Sequence, residues 1–289
     1  MGESMKNSIL VAGTVLCLLN VSLVTSANAA DSSTEAGGAS TASVASSISK
    51  KLTMGYVGLY TGGPLSGLGD SYSPDANGQP DPTTPQQMEN FLGVFYKLSD
   101  TVKFGPQAHF FYSPVAHRNI TMKDPLLQIS NSAIVSSGGF KLAGYARAYL
   151  PATAESIDSG RVMQVRFMLN PSYDVPKTRL SVGAYAYAQP AFYNSTGKGT
   201  TFTGYLGPSL NYQVTPKLAI TALYEMAATH KKGQDGTLSF NNAGTDFEPG
   251  LNYDITPNLS INPYLNIYTG NKVSMESTSM NLLIVGKLL

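Results

Sequence analysis

The sequence predicts an all-β fold, a closed antiparallel up-and-down transmembrane β-barrel of about twelve strands. Three observations predict it. Charged residues make up only 13% of the 289 residues, yet the mean hydropathy of -0.06 is far too low for a bundle of membrane helices. Long stretches alternate between apolar and polar residues, and one turn sequence recurs along the chain. Strands with one face toward lipid and the other toward a polar lumen have this composition.

The alternation is clearest between residues 258 and 269, and it recurs in 178–190 and 217–229. Stretches of about 9 to 14 residues suit tilted strands that cross a bilayer, whereas the strands of soluble sandwiches are usually about 5 to 6 residues long. In 258–269 one parity is apolar and the other is polar or tyrosine: Leu259, Ile261, Pro263, Leu265 and Ile267 against Asn258, Ser260, Asn262, Tyr264, Asn266 and Tyr268.

A tyrosine-containing turn recurs at 173–177, 212–218 and 253–259, with a looser copy at 96–102. The close copies are about 40 residues apart, which is the length of a hairpin repeat. All copies are therefore expected on one side of the membrane.

Counting strands from these turns gives an even number, as single-chain bacterial barrels require, with short turns at one end and longer connections at the other. Pro106, Pro208, Pro249 and Pro263 fall inside predicted strands, where we expect bulges near the rims to accommodate them. The predicted strands are 51–60, 91–98, 101–112, 125–135, 139–149, 161–173, 178–190, 201–213, 217–229, 238–253, 258–269 and 276–288.

The N-terminal segment predicts export. Residues 1–29 have the pattern of a signal peptide: Lys6, an apolar run over 9–24, and a small-residue site that predicts cleavage after Ala29. Residues 30–50 predict a flexible Ser/Ala/Thr-rich periplasmic tail, and 51–289 the barrel. The single cysteine, Cys17, lies in the leader, so the mature chain is expected to contain no disulfide and no thiolate metal site.

Together, the leader, the repeated Tyr-x-Val-Thr-Pro turns and the apolar terminus make this sequence resemble the outer-membrane β-barrels of Gram-negative bacteria, in particular their small porin-like members. Residues 280–289 resemble the C-terminal assembly signal of that class, with Leu289 in place of the usual Phe. The resemblance implies an outer-membrane location, contact with lipid and lipopolysaccharide, and insertion by the barrel-assembly machinery.

In each predicted strand, every second residue belongs to the apolar face. The residues between them are predicted to line the lumen. The basic candidates lie on earlier strands and the acidic ones on a later hairpin, which predicts a transverse field. Tyrosines of the same parity either stack a passing sugar or nucleoside or simply fill space. The pore-lining candidates are Lys103, Lys141, Arg147, Arg166, Arg179, Glu225, Asp246, Glu248, Tyr185, Tyr187 and Tyr264.

The resemblance implies a narrow porin-like channel for passive diffusion of small polar solutes. One alternative is a non-conducting structural barrel whose charges pair across a filled lumen. Another is a surface-recognition barrel that uses the 61–90 connection, which is long enough to fold inward or outward. The net charge of +1 and the absence of long basic runs exclude a nucleic-acid partner.

An enzyme is not predicted, and a barrel lipase or protease is the least favoured alternative. Parity places His109 inward, with His117 and His230 at the rim or in loops, and there is no Gly-x-Ser-x-Gly elbow. No histidine pair has ligand spacing, so neither a metal nor another cofactor is expected.

Overall fold

The computed structural model describes residues 51–75, 79–115, 118–233, 239–240, 245–269 and 273–289. The predicted signal peptide and periplasmic tail lie outside these residues and stay predictions. No helix in the described part of the chain is long and apolar enough to cross a membrane.

Twelve long strands form one closed sheet. Each pairs antiparallel with the next barrel strand along the chain, and β1 pairs with β16, with Leu59 opposite Leu283, which closes the barrel. The predicted fold class and strand number are confirmed. The barrel strands are β1 (Leu52–Pro64), β4 (Gln87–Lys97), β5 (Val102–Tyr112), β7 (Leu126–Ser137), β8 (Phe140–Tyr149), β9 (Arg161–Asp174), β10 (Leu180–Tyr193), β11 (Thr200–Thr215), β12 (Leu218–Lys231), β14 (Asp246–Thr256), β15 (Leu259–Tyr268) and β16 (Thr278–Lys287).

The barrel has two unlike ends. Connections of two to five residues join the strands at the turn end, and the longer connections lie at the opposite loop end, as predicted. The single strand predicted over 238–253 is wrong at its start, because β13 pairs with β12 alone and β14 begins at Asp246. The shorter elements, all at the loop end, are β2 (Tyr72–Pro74), β3 (Pro80–Pro85), β6 (Ile120–Met122), β13 (Ser239–Phe240) and the helix α1 (Ala154–Asp158).

The outer surface of the barrel is apolar. Phe167 is 55% exposed, and Leu210 is about as exposed, although neither of them is near a strand end. A closed sheet leaves no unpaired edge, and an apolar exterior suits hydrocarbon, so this is the form in which strands span a membrane. The described residues therefore form a β-barrel of the membrane-spanning type.

The four prolines for which the sequence predicted bulges lie inside strands without them. Each faces outward, and pairing with one neighbouring strand stays continuous while pairing with the other is interrupted. At Pro106, for example, the β4–β5 register runs from Gly93 opposite Gln107 to Tyr96 opposite Phe104 without a shift. Since a strand N–H points to one neighbour only, a proline costs one ladder position and leaves the register intact. The other three are Pro208, Pro249 and Pro263.

The repeated turns have a local cause. The hydroxyl of Thr215 accepts hydrogen bonds from the backbone N–H groups of Lys217 and Leu218, at 3.2 and 3.1 Å. The hydroxyl of Thr256 accepts one from Asn258 at 3.2 Å. A threonine side chain thus satisfies the backbone of a tight turn where the ladder ends. The motif tyrosines lie at the turn end, as the repeat predicts: Tyr173, Tyr212 and Tyr253.

Asp124, in the connection between β6 and β7, fixes the long loop that carries α1. Its Oδ1 accepts hydrogen bonds of 3.0 Å from the backbone N–H groups of Ala152 and Thr153 and from the Thr153 hydroxyl. Its Oδ2 accepts one from the Ser156 hydroxyl, and Arg161 Nη1 lies 3.3 Å from Oδ2. Burial by itself raises the pKa of Asp124, but these hydrogen bonds outweigh it and hold the pKa below its ordinary value.

Acid is therefore expected to release this loop. Because the folded pKa is below the unfolded value of about 3.9, Asp124 stabilises the loop fully above that value and loses its effect as the pH falls through the folded pKa. Hydrogen exchange of residues 150–160, corrected for intrinsic rates, should show protection falling at low pH. Asp124→Asn should show weak protection with little pH dependence, and Glu155→Gln, at an exposed ion pair with Lys123, should behave as the native chain. Equal protection of residues 150–160 in the native chain and in Asp124→Asn at neutral pH would contradict this role.

Candidate functional site

A layer of inward-facing side chains lies in contact across the lumen, and we call it the central layer. All of its members are buried except Tyr187, which is partly buried. It contains a pair of arginines on one wall, three carboxylates on another and tyrosines between them. Its members are Arg147, Arg166, Tyr185, Tyr187, Tyr205, Glu225, Asp246 and Glu248.

The basic wall consists of Arg147 on β8 and Arg166 on β9, which are directly opposite in the register. Nε of Arg147 donates to Oε1 of Gln128 at 2.6 Å, and its guanidinium lies 4.4 Å from the ring centroid of Tyr145. Nε of Arg166 donates to Gln189. Neither arginine forms an ion pair within the described residues. Amide oxygens and ring faces hold the two cations in place instead, and their charges are left to act on the lumen.

The acidic wall consists of Glu225 on β12 with Asp246 and Glu248 on β14. Glu225 is opposite Asp246, and one oxygen of each of the three carboxylates lies within 4.8 Å of the others. Glu225 accepts hydrogen bonds from the hydroxyls of Tyr185 and Tyr205. The pairing of β12 with β14 thus gathers three carboxylates that are distant along the chain.

Tyrosines on β10 and β11 join the two walls. Tyr205 stacks on Tyr187 and on Tyr185, with ring centroids 5.0 and 5.4 Å apart. The guanidinium of Arg166 lies 4.5 Å from the ring centroid of Tyr187. These contacts occupy ring faces that would otherwise stack a sugar or nucleoside, so the arrangement favours the space-filling role for these tyrosines.

Two cavities reach the central layer from the turn end. One, of about 460 Å³, extends to Glu248 and Tyr264, and the other, of about 530 Å³, extends to Arg147. Asn170 and Asp254 line both cavities. One cavity therefore reaches the acidic wall at Glu248, and the other reaches the basic wall at Arg147.

The five basic candidates do not form one wall. Lys141 is paired with Asp174 at 3.2 Å, and Nη1 of Arg179 donates to the carbonyl of Val214 at 2.9 Å. Nζ of Lys103 lies 4.7 Å from the ring centroid of Phe95. These three residues line the cavities near the turn end, below Arg147 and Arg166. The alternation along each strand predicts that these side chains face the lumen. Their distance from the turn end depends on where each strand begins, which the alternation does not give.

Sequence reasoning missed Glu89. Its Oε1 lies 2.7 Å from Nε2 of His109, which faces the lumen as the alternation predicts and stacks on Phe91 with ring centroids 4.3 Å apart. Glu89 was assigned to the 61–90 connection, whereas β4 begins at Gln87. It places one negative charge on the basic side of the lumen, so the predicted separation of charges is incomplete.

The other histidines give no support to hydrolytic chemistry. His230 lies near the loop end, with Nδ1 2.6 Å from the Thr201 hydroxyl. His117 lies outside the described residues. Neither described histidine hydrogen-bonds a serine, which a barrel lipase or protease of the serine type requires.

Comparisons with known proteins give neither a family nor a substrate. No family model matches the chain, and no curated protein matches it. Among solved structures, the NanC porin is similar to it with 10% identity and a TM-score of 0.45, covering 82% of this chain and 100% of that one. The KdgM porin has 12% identity and a TM-score of 0.41, covering 81% and 98%. OmpT, an outer membrane protein of Vibrio cholerae, has 8% identity and a TM-score of 0.37, covering 82% and 98%.

Proposed function

We propose that this protein is a narrow channel for passive diffusion of small polar solutes, with the central layer as its constriction. One observation carries the proposal: two cavities of about 460 and 530 Å³ lead from the turn end to a layer that presents arginines on one wall and carboxylates on another. In this proposal the barrel contacts outer-membrane lipid and lipopolysaccharide, is inserted by the barrel-assembly machinery, and has no catalytic role.

The chemistry of the layer suits this function. Opposite charges separated by tyrosines produce a field across the lumen, and apolar barrel walls focus it. A dipolar solute can align in that field and exchange part of its hydration for hydrogen bonds to arginine, carboxylate and phenol groups. The burial of the layer leaves little free cross-section, so passage is restricted to small solutes.

One observation favours a second candidate function. Arg147 is 2% exposed and Glu225 is fully buried, so side chains nearly fill the lumen at this height. A non-conducting structural barrel has such a packed interior. The two candidates differ in one measurable property, the passage of ions through the closed layer.

Single-channel recording of the purified, refolded protein in a planar bilayer tests the proposal. We expect discrete conductance steps for the native chain. Arg147→Ala combined with Arg166→Ala should raise the conductance, because two large side chains are removed, and should shift the reversal potential in a salt gradient toward cation preference.

Lys141→Ala combined with Arg179→Ala is the matched control, since it also removes two positive charges from the lumen. Both residues are near the solvated turn end, where salt screens their charge, so a smaller shift is expected. The absence of conductance in the native protein would reject the channel. Equal shifts in the two double variants would reject the central layer as its filter.

A further inference from the structure

The three carboxylates of the acidic wall have the geometry of a cation site. Glu225, Asp246 and Glu248 are 0%, 7% and 4% exposed, and they offer oxygen atoms that lie within 4.8 Å of one another. Oxygen atoms bound to one Ca²⁺ at 2.3–2.6 Å cannot be more than about 5 Å apart. The observed separation therefore matches ligands of a single ion.

Orphaned oxygen atoms at the same place point to a ligand. Asn266, on β15, is 8% exposed, and its Nδ2 lies 3.3 Å from Oε1 of Glu248. Its Oδ1 accepts no hydrogen bond, and neither does Oδ1 of Asp246. Buried acceptors of this kind normally have a donor or a bound ion. Rotation of the Asn266 side-chain amide by half a turn places its carbonyl oxygen, instead of its nitrogen, next to Glu248. A bound cation would favour this orientation.

We propose that Glu225, Asp246, Glu248 and Asn266 bind a divalent cation of the calcium type. The donor set contains only oxygen, which selects a hard cation over zinc or copper. Calcium accepts six to eight ligands in irregular geometry, whereas magnesium requires a near-ideal octahedron. Water from the 460 Å³ cavity, which reaches Glu248, supplies the remaining positions.

This assignment revises the expectation that the acidic residues only line the lumen. Sequence spacing could not indicate it, because Glu225 is about twenty residues from Asp246 and about forty from Asn266. The register of three adjacent strands brings them together: Glu225 is opposite Asp246, and Asp246 is opposite Tyr268, two residues beyond Asn266. The site does not depend on whether the lumen conducts.

Terbium luminescence in the refolded barrel tests the site directly. Tb³⁺ replaces Ca²⁺ at oxygen sites and emits when a nearby phenol absorbs, and the chain contains no tryptophan to interfere. Because the hydroxyls of Tyr185 and Tyr205 bond to Glu225, bound Tb³⁺ should be strongly sensitised. After chelator treatment, Tb³⁺ should produce saturable emission at about one ion per chain, and Ca²⁺ should displace it.

Two variants remove ligand charge with little change in shape. Glu248→Gln and Asp246→Asn should each weaken Ca²⁺ binding at least about tenfold, because affinity depends on the number of charged ligands. Asp254→Asn is the matched control: this carboxylate lines the same cavity outside the cluster and should leave the affinity unchanged. Circular dichroism and heat-dependent mobility in detergent gels establish that each variant is folded. If only one of the two cluster variants folds, that variant alone is sufficient for the test.

The proposal is overturned if the native barrel gives no Ca²⁺-displaceable emission, or if both cluster variants bind as tightly as the control. Conductance is not used in this test. Failure of the channel and failure of the cation site can therefore be told apart.

Discussion

Replacing Phe167 by Arg should destabilise the barrel by about 2–4 kcal/mol, the cost of an arginine facing lipid near the middle of a bilayer. Phe167 lies in the middle of β9, opposite Ala146 on β8 and Ala188 on β10, and it is 55% exposed. This exposure faces hydrocarbon in the membrane. Equilibrium unfolding by guanidinium in lipid vesicles, followed by circular dichroism, measures the loss.

Asn170→Arg is the control on the same strand. Asn170 faces the lumen three residues further along and lines both cavities, where an added guanidinium is hydrated. Its unfolding free energy should change much less than that of Phe167→Arg. Equal losses in the two variants would show that the outward face of β9 does not contact lipid, and the assignment of every inward residue would have to be reversed or abandoned.

Removing both tyrosine hydroxyls that bond to Glu225 should also have a large effect. Hydrogen bonds to a charged group contribute about 1.5–3 kcal/mol each, and a buried carboxylate that loses one donor keeps its desolvation cost. Tyr185→Phe and Tyr205→Phe should each lower the free energy of unfolding by about this amount. The stacked rings remain, so little packing is lost.

Tyr187→Phe separates the hydrogen bonds from the aromatic stack. Tyr187 stacks on Tyr205 in the same way, but its hydroxyl is not a donor to Glu225. Its removal should cost distinctly less in the same unfolding experiment. If all three single variants lose equal stability, the tyrosines act only by filling the lumen, and Glu225 does not depend on them.

Much of the candidate site was predictable, because the alternation of inward and outward side chains can be recognised within a single strand. On β12 and β15, alternate residues contact opposite environments, so the sequence pattern alone assigned Glu225 and Tyr264 to the lumen face. The same reasoning placed Arg147 and Arg166 inward. It failed for Glu89, because an error of four residues in the start of a strand places a lumen residue in a loop.

The pattern could not reveal which inward residues share a height. Lys141 and Arg147 have the same parity on β8, yet only Arg147 is in the central layer. The height of a residue depends on the stagger between neighbouring strands, which backbone pairing around the whole closed sheet determines. The prolines show the same dependence, since only the paired structure reveals that Pro106 interrupts one ladder and leaves the register unchanged.

The sequence by itself determined that the chain forms twelve antiparallel strands with an apolar outer face. Alternate residues of each strand contact lipid and lumen, so apolar and polar residues alternate within that strand. Only the tertiary structure decided that two arginines, stacked tyrosines and three carboxylates meet in one layer. Those contacts join strands through the register of the closed barrel, a constraint that no single stretch of sequence contains.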